Sequence, residues 1–477
     1  MNNPLTQSNN SWLHFVGVGG SGMSGLAQYH ALAGGRATGS DRAFDSGERE
    51  RTRQWLTAAG VGLFPQDGSG LVDANGRTCD TVIVSTAVED SISDFAMAKN
   101  LDVPILHRSE LLAHYVAEKK TIAITGTSGK SSVTAMVFEI LRDTGKEPSL
   151  LTGGNLISLQ EEGFLGNAWA GTSDLLVIEA DESDGSLVRY EPWLGVVLNL
   201  RLDHKPLTEL ATMFATFHDH TRGPFLVGVD PNLQEIAQGA TVFGFESDSD
   251  IRAQDVRTTQ SGSSFTVGDI QFRLTIPGVF NVTNALAAIA ACQQLDVPFV
   301  DMVEPMANFR GVARRFQSVG VVKGVEIIDD FAHNPDKIGA ALTSAQARTS
   351  HDLHNDHSPE RSAIGRILAV FQPHGFGPTR FLKNALIEAF VTHLRPDDKL
   401  WMPEIYYAGG TVTRDISSYE IVTAITERGL RAEFIAQRSE IVGCIAAEAR
   451  PGDIVLVMGA RDPSLTDFCY SIKTALE

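Results

Sequence analysis

The stretch TIAITGTSGKSSVT, residues 121–134, sets a lysine and two serines directly behind a glycine-framed turn. The common phosphate loop has four residues between its glycines, in the pattern GxxxxGK[ST]. Here Gly126 and Gly129 frame only Thr127 and Ser128, and Ile124 stands where the earlier glycine belongs. The parts that phosphate chemistry needs are nevertheless present. An apolar run leads into small residues that leave backbone N–H groups open, Lys130 can meet terminal phosphate oxygens, and Ser131 offers a hydroxyl to Mg²⁺. The plain alternative is a strand–turn–helix with an accidental Gly-Lys-Ser.

A metal-assisted phosphate site also needs carboxylates, and VIEADESDGS brings Glu179, Asp181, Glu182 and Asp184 to the end of another apolar run. Helix capping could account for one or two of them. The next run, VVLNLRLDH, closes on Asp203 and His204, a position from which a histidine can act as a ligand or remain structural. A second glycine loop, GVGGSG, carries Gly17, Gly19 and Gly22 between an apolar run and a helix-like segment, and Asp41 follows Gly22 by 19 residues. That spacing suits a diphosphate on a helix N-terminus with an acid near a ribose. Taken alone it also fits a nicotinamide-dependent dehydrogenase or a purely structural turn.

Parallel strands followed by ligand-bearing turns must position these groups. LHFVGVGG, TIAITGTSGK, LLVIEADESD, VEIIDDFAH, ILAVFQPHG and IVLVMGARD repeat one form, an apolar run ending in small or polar residues. This is the βαβ rhythm of an α/β protein whose ligands collect at the carboxyl ends of the strands. New sheets are expected to open near residues 116 and 310, giving domains over 1–115, 116–309 and 310–477. A length of 477 residues allows about three such domains. The net charge of −19 argues against nucleic acid or an anionic membrane as partner, so an anionic ligand must rely on local N–H groups, Lys and Arg. No apolar run reaches the ~18 residues that span a bilayer, the N-terminus lacks a secretory pattern, and the 4 cysteines are scattered. A cytoplasmic protein acting on small molecules, monomeric or weakly dimeric, is expected. His351, His354 and His357 in SHDLHNDHSPERSAIG read as a solvated loop rather than a metal site.

GTSGKSS, EADESDGS, NLRLDH, PGVFNVTNALAA, ARRF, DDFAHNP and FQPH occur in one order at domain-scale spacing, and with HFVGVGGSGMSGLA and VSTAV they resemble the Mur ligase family. The likeness spans roughly residues 13–462 and is closest to the alanine-adding branch. It implies a Rossmann-like N-terminal domain holding a UDP-sugar, a central ATPase domain and a Rossmann-like C-terminal domain bringing the amino acid. The implied reaction phosphorylates the carboxylate of UDP-N-acetylmuramate with ATP to an acyl phosphate, which an amino acid's amine then attacks, in peptidoglycan precursor synthesis. By motif, Gly126, Thr127, Ser128, Gly129, Lys130, Ser131 and Ser132 would hold ATP, with Asn284 facing adenine and Arg315 and Asp330 reaching phosphates and ribose. Ser131, Glu179 and His204 would hold two Mg²⁺ ions. Gly17, Gly19, Gly20, Ser21, Gly22, Asp41, Ser85 and Thr86 would hold the UDP-sugar, and His333, His374 and Arg380 would lie on the amino-acid side.

The chain also departs from that branch. Ser128 and Phe280 stand where histidines are usual, and in GFGPTR Gly375 and Pro378 replace two arginines of an RxxRTR pattern, leaving Arg380. Neither Gly nor Pro can grip a carboxylate as arginine does, so L-alanine, another amino acid and a muropeptide all remain as acceptors. A nucleotide-binding relative that no longer ligates is the further alternative. The helix-like PLTELATMFATFHDHT contains no lysine, in keeping with the alanine-adding branch, which lacks the carbamylated lysine of sister branches.

Overall fold

The computed structural model describes residues 11–85, 92–201, 205–259, 262–350, 365–407, 413–460, 462 and 464–477. The chain forms two compact units, Met1–Val312 and Ala313–Glu477.

The first unit contains three sheets. β1 (Trp12–Val16), β2 (Arg36–Ser40), β3 (Gly62–Phe64), β4 (Thr81–Val84) and β5 (Ile105–His107) form a parallel sheet in the order β3-β2-β1-β4-β5. The chain leaves β1 toward one edge and returns to its other side, so a crevice opens at the carboxyl end of β1, where GVGGSG begins.

The second sheet has eight strands: β6 (Lys120–Thr125), β7 (Ser149–Leu151), β8 (Ala168–Trp169), β9 (Leu175–Glu179), β10 (Leu194–Val197), β11 (Phe225–Gly228), β12 (Thr241–Gly244) and β13 (Ile251–Arg252). Their order is β13-β12-β11-β10-β6-β9-β7-β8, with only the β7–β8 pair antiparallel. Near-continuous apolar runs such as IAIT and LLVI suit strands covered on both faces. β6 lies between β9 and β10, which fixes the neighbours of the loop that follows it. That loop opens the helix Lys130–Asp143, whose Val133, Met136, Val137, Phe138, Ile140 and Leu141 are wholly buried. Burial of Phe138 alone contributes about 1.5–3 kcal/mol. Gly145, at φ +72°, stops the helix in the left-handed conformation that glycine takes without strain. The helix Val279–Gln293 packs alongside, and its fully buried Ala285, Ala287, Ala288, Ala290 and Ala291 let the two backbones approach closely. A small antiparallel sheet of β14 (Gln254–Thr259), β15 (Gly262–Val267) and β16 (Ile270–Leu274) completes the unit.

The second unit holds β17 (Gln317–Val322), β18 (Val325–Asp330), β19 (Ile367–Gln372), β20 (Lys399–Met402), β21 (Arg431–Phe434) and β22 (Ile454–Gly459). The order is β17-β18-β22-β19-β20-β21, parallel except for β17 at one edge. All six apolar runs singled out in the sequence are strands: β1, β6, β9, β18, β19 and β22. The α/β expectation holds, while β14–β16 were not foreseen, QDVRTT being polar and the alternating IQFRL having been passed over.

Candidate active site

The turn after β6 requires both its glycines. Gly126 has φ +135° and Gly129 φ +90°. A Cβ on Gly129 would lie 2.5 Å from Asn284 Oδ1, and one on Gly126 would lie 3.0 Å from Leu198 Cβ. Asn284, on the helix Val279–Gln293, is therefore pressed against this loop.

Lys130 begins its helix and turns back over the loop. Its Nζ donates to Gly126 O at 2.9 Å and to the two Glu182 oxygens at 2.7 and 3.0 Å, with Asp181 Oδ1 at 3.5 Å. Burial opposes its charge, but Glu182, Asp181 and Glu179 outweigh burial and hold the pKa above the ordinary lysine value. Glu179, at the end of β9, accepts from Ser131 Oγ at 3.1 Å, Thr152 Oγ1 at 2.8 Å and Gly153 N at 2.8 Å. The four acids of EADESD thus do different work. Glu179 meets the serine, Glu182 meets the lysine, Asp181 accepts from Ser183 Oγ at 2.7 Å, and Asp184 accepts from Ser186 N at 3.0 Å and pairs with Arg108.

Ser131 and Glu179 present hard oxygen donors side by side, which fits Mg²⁺, an ion held by one or two protein oxygens together with phosphate and water. Among the described residues no group of three or more His, Cys, Asp or Glu could hold a metal without such a partner. The expected third ligand, His204, lies outside the described residues, as do Asp203, Thr86 and His351, His354 and His357.

On the other side of β6, Asn199 follows β10 and grips the loop. Its Oδ1 accepts from Thr127 Oγ1 and from Ser128 N, both at 2.9 Å, and its Nδ2 donates to Ser128 O at 2.9 Å. Sequence reading passed over Asn199, although its place at the carboxyl end of a central parallel strand was a usable signal.

At the first loop, Gly17 (φ +75°) and Val18 donate to Ser40 O at 2.8 and 3.1 Å. Asp41 is buried, and accepts from Gly19 N at 2.8 Å and Ala43 N at 2.9 Å. Gly20 caps the helix Ser21–Leu32 without any side-chain hydrogen bond. A Cβ on Gly22 would lie 2.9 Å from Arg108 Nη1, so the Arg108 guanidinium lies over the start of that helix. Arg49 Nη1 donates to Gly19 O at 2.9 Å. These two arginines are the local cations that the acidic chain requires, and neither was singled out from sequence. Ser85 lies one residue beyond β4.

In the second unit, burial pushes Asp330 up to about 6, against the Arg315 charge and N–H donation from Ala332 at 2.7 Å and Phe316 at 2.6 Å. The Arg315 guanidinium lies 5.1 Å from the Phe331 ring centre. His333 faces His374 with ring centres 5.7 Å apart. Burial, then Lys337, takes His333 down to about 3, and its Nδ1–H donates to Phe331 O at 2.8 Å, which leaves Nε2 as an acceptor. Gly375 has φ +69°, and Pro378 occupies the first turn of the helix Phe376–His393, where a missing N–H costs little. Local backbone geometry therefore favours the two residues that replace the expected arginines. Arg380 pairs with Asp415 and donates to Thr413 O at 3.2 Å. Arg414 lies 4.6 Å from the Tyr407 ring centre.

Residues 13–120, 124–292 and 314–461 match the Mur ligase family catalytic domain, the Mur ligase middle domain and the Mur ligase glutamate ligase domain. The chain belongs to the Mur ligase family and is an ATP-dependent acid–amino-acid ligase. It is 34% identical over 460 residues, 94% of each chain, to a UDP-N-acetylmuramate–L-alanine ligase of Sulfurihydrogenibium sp.. The crystal structure of a UDP-N-acetylmuramate–alanine ligase from Thermotoga maritima superposes with TM-score 0.76 at 26% identity, covering 97% of this chain and 98% of that one. A murein peptide ligase from Psychrobacter arcticus shares the fold, with TM-score 0.70 at 21% identity over 98% and 99% of the two chains. The dehydrogenase reading of GVGGSG falls with this assignment. Among the described residues no helix is long and apolar enough to cross a membrane.

Proposed function

We propose that the chain joins L-alanine to the carboxylate of UDP-N-acetylmuramate. The observation that carries this reading is the meeting of Lys130, Ser131 and Glu179 around one short loop, in a chain 34% identical over 94% of its length to a relative bearing that name. The sugar's carboxylate attacks the γ-phosphorus of ATP, ADP leaves, and the acyl phosphate forms. The alanine amine then attacks the acyl carbon, and phosphate departs with the electrons of the broken C–O bond.

Lys130 neutralises charge on the transferring phosphoryl group, and N–H groups at Gly129–Ser132 receive phosphate oxygens. Ser131, Glu179 and His204 would hold Mg²⁺, which would supply positive charge that lets two anions meet, and two ions are part of the reading. Asn284 takes the adenine, Arg315 and Asp330 the phosphates and ribose, and His333, His374 and Arg380 the amino acid. The UDP-sugar rests on Gly17, Gly19, Gly20, Ser21, Gly22, Asp41, Ser85 and Thr86. Domain limits at 115 and 309, a cytoplasmic location and a monomeric or weakly dimeric state complete the reading.

The test is a ligase assay with UDP-N-acetylmuramate and ATP against a panel of amino acids, with products identified by mass. L-Alanine-dependent release of ADP and phosphate supports the assignment. A second reading, a different amino acid or a muropeptide as acceptor, is favoured by Gly375 and Pro378 and predicts that L-alanine fails where another amine succeeds. Nucleotide binding without ligation of any acceptor would refute both.

A further inference from the structure

We propose that Asn199 is a positioning residue of the phosphate loop, its carboxamide completing a turn two residues shorter than the usual one and fixing which backbone N–H groups face the phosphates. The inference rests on the ATP reading above. A loop of the GxxxxGK form encloses phosphate with N–H groups from the residues between its glycines. Gly126 and Gly129 leave only Thr127 and Ser128 for that work, and both are held from outside the loop.

Asn199 treats Ser128 as a neighbouring strand would. It accepts from the Ser128 N–H and donates to the Ser128 carbonyl, both at 2.9 Å. The same Oδ1 takes the Thr127 hydroxyl at 2.9 Å, Thr127 Oγ1 in turn accepts from Arg201 N at 3.0 Å, and Thr127 N donates to Asn199 O at 3.3 Å. With the Ser128 N–H engaged, phosphate oxygens would fall to the backbone N–H groups at the start of the helix Lys130–Asp143, the end at which a helix has no intrahelical acceptors for its donors. Those groups carry the positive end of the helix dipole.

The grip is on the Ser128 peptide, so it does not depend on the side chain at 128, where histidine is expected. It does depend on an amide at 199, because only a group with both donor and acceptor can meet the N–H and the C=O of one residue together. Aspartate keeps the shape and the acceptor, but loses the donor and places a negative charge beside the phosphates.

Calorimetric titration of the full chain with ADP and Mg²⁺ tests this. Asn199→Ala is expected to weaken ADP by about tenfold or more, and Asn199→Asp by more than Asn199→Ala. In steady-state assays the KM for ATP rises while the KM for UDP-N-acetylmuramate stays within about twofold, a split that a merely structural residue would not give. Thr127→Val should weaken ADP less in the Asn199→Ala background than alone, because the two side chains share one network. Should Asn199→Ala not fold, the near-isosteric Asn199→Asp decides. ADP affinity within about twofold of the parent in the folded variant, or equal rises in every KM, overturns the proposal. A parent chain that binds no ADP would instead refute the ATP reading itself.

Discussion

The two glycine loops of the first unit, each proposed here to hold phosphate in a protein of net charge −19, are supported by different means. At Gly126–Gly129 the cation is the next residue in the chain, Lys130, and three carboxylates keep it protonated. At Gly17–Gly22 the cations arrive from elsewhere, Arg49 through Gly19 O and Arg108 over Gly22. The supports differ too. A carboxylate, Asp41, braces the loop whose charge comes from arginines, and a neutral amide, Asn199, braces the loop that already faces an acidic strand end. A carboxylate at 199 would add to the crowd around Lys130, whereas at 41 it lies against backbone N–H groups and a helix start. The second loop is therefore self-contained in sequence, and the first is assembled by the fold.

If the division is real, changes at one loop should spare the other's ligand. Lys130→Ala is expected to lower turnover by about 10³-fold, with binding of UDP-N-acetylmuramate unchanged by calorimetry. A matching loss of sugar binding would break the comparison. Thr152→Val removes the hydroxyl that orients Glu179, and should raise the Mg²⁺ concentration that half-saturates ADP binding by about 10–100-fold with the melting temperature held. Arg108→Gln is the reciprocal test. The KM for UDP-N-acetylmuramate should rise by about tenfold with the KM for ATP unmoved, and an ATP effect of equal size would show that the Arg108–Asp184 pair serves both loops.

The same asymmetry governs what could be read from sequence. Lys130, Ser131 and Glu179 were legible because each lies at a strand or helix end inside a compact signature, and the parallel topology brings those ends together. Asn199 lies at a strand end as well and was passed over, but its hold on Ser128, 71 residues away, and Arg108's pairing with Asp184, 76 residues away, appear only with the strand order β10-β6-β9 and the helix Arg108–Glu118 in view. Gly375 and Pro378 were seen as missing arginines, and that the one stands at φ +69° and the other in the first turn of a helix appears only with the structure in view. The strands β14–β16 escaped although IQFRL alternates apolar and polar residues and only Gly268 and Asp269 separate it from GSSFTV, a hairpin signal that was passed over.

The expected effect that reaches least into either site concerns stability and the helix behind the second loop. Glu139, in the helix Lys130–Asp143, is 8% exposed and accepts from Ser158 Oγ at 2.7 Å. Burial pushes its carboxyl up to about 7, with Ser158 opposing the shift. The sign follows from proton counting. Between the unfolded value near 4.5 and the folded value near 7, the native state holds a proton that the unfolded chain has released, so stability falls as pH rises through that window. The loss amounts to about 3 kcal/mol once the window is crossed. Glu139→Gln keeps an acceptor for Ser158 and cannot ionise, so from pH 5 to 7 its denaturant midpoint should lose the part of the parent's decline that Glu139 contributes. Because the charge lies behind the phosphate loop rather than in it, ADP affinity should move little in the variant at pH 6. A large change in affinity would mean that the helix transmits the ionisation of Glu139 to its N-terminus, and the second loop would then be less self-contained than its sequence suggests.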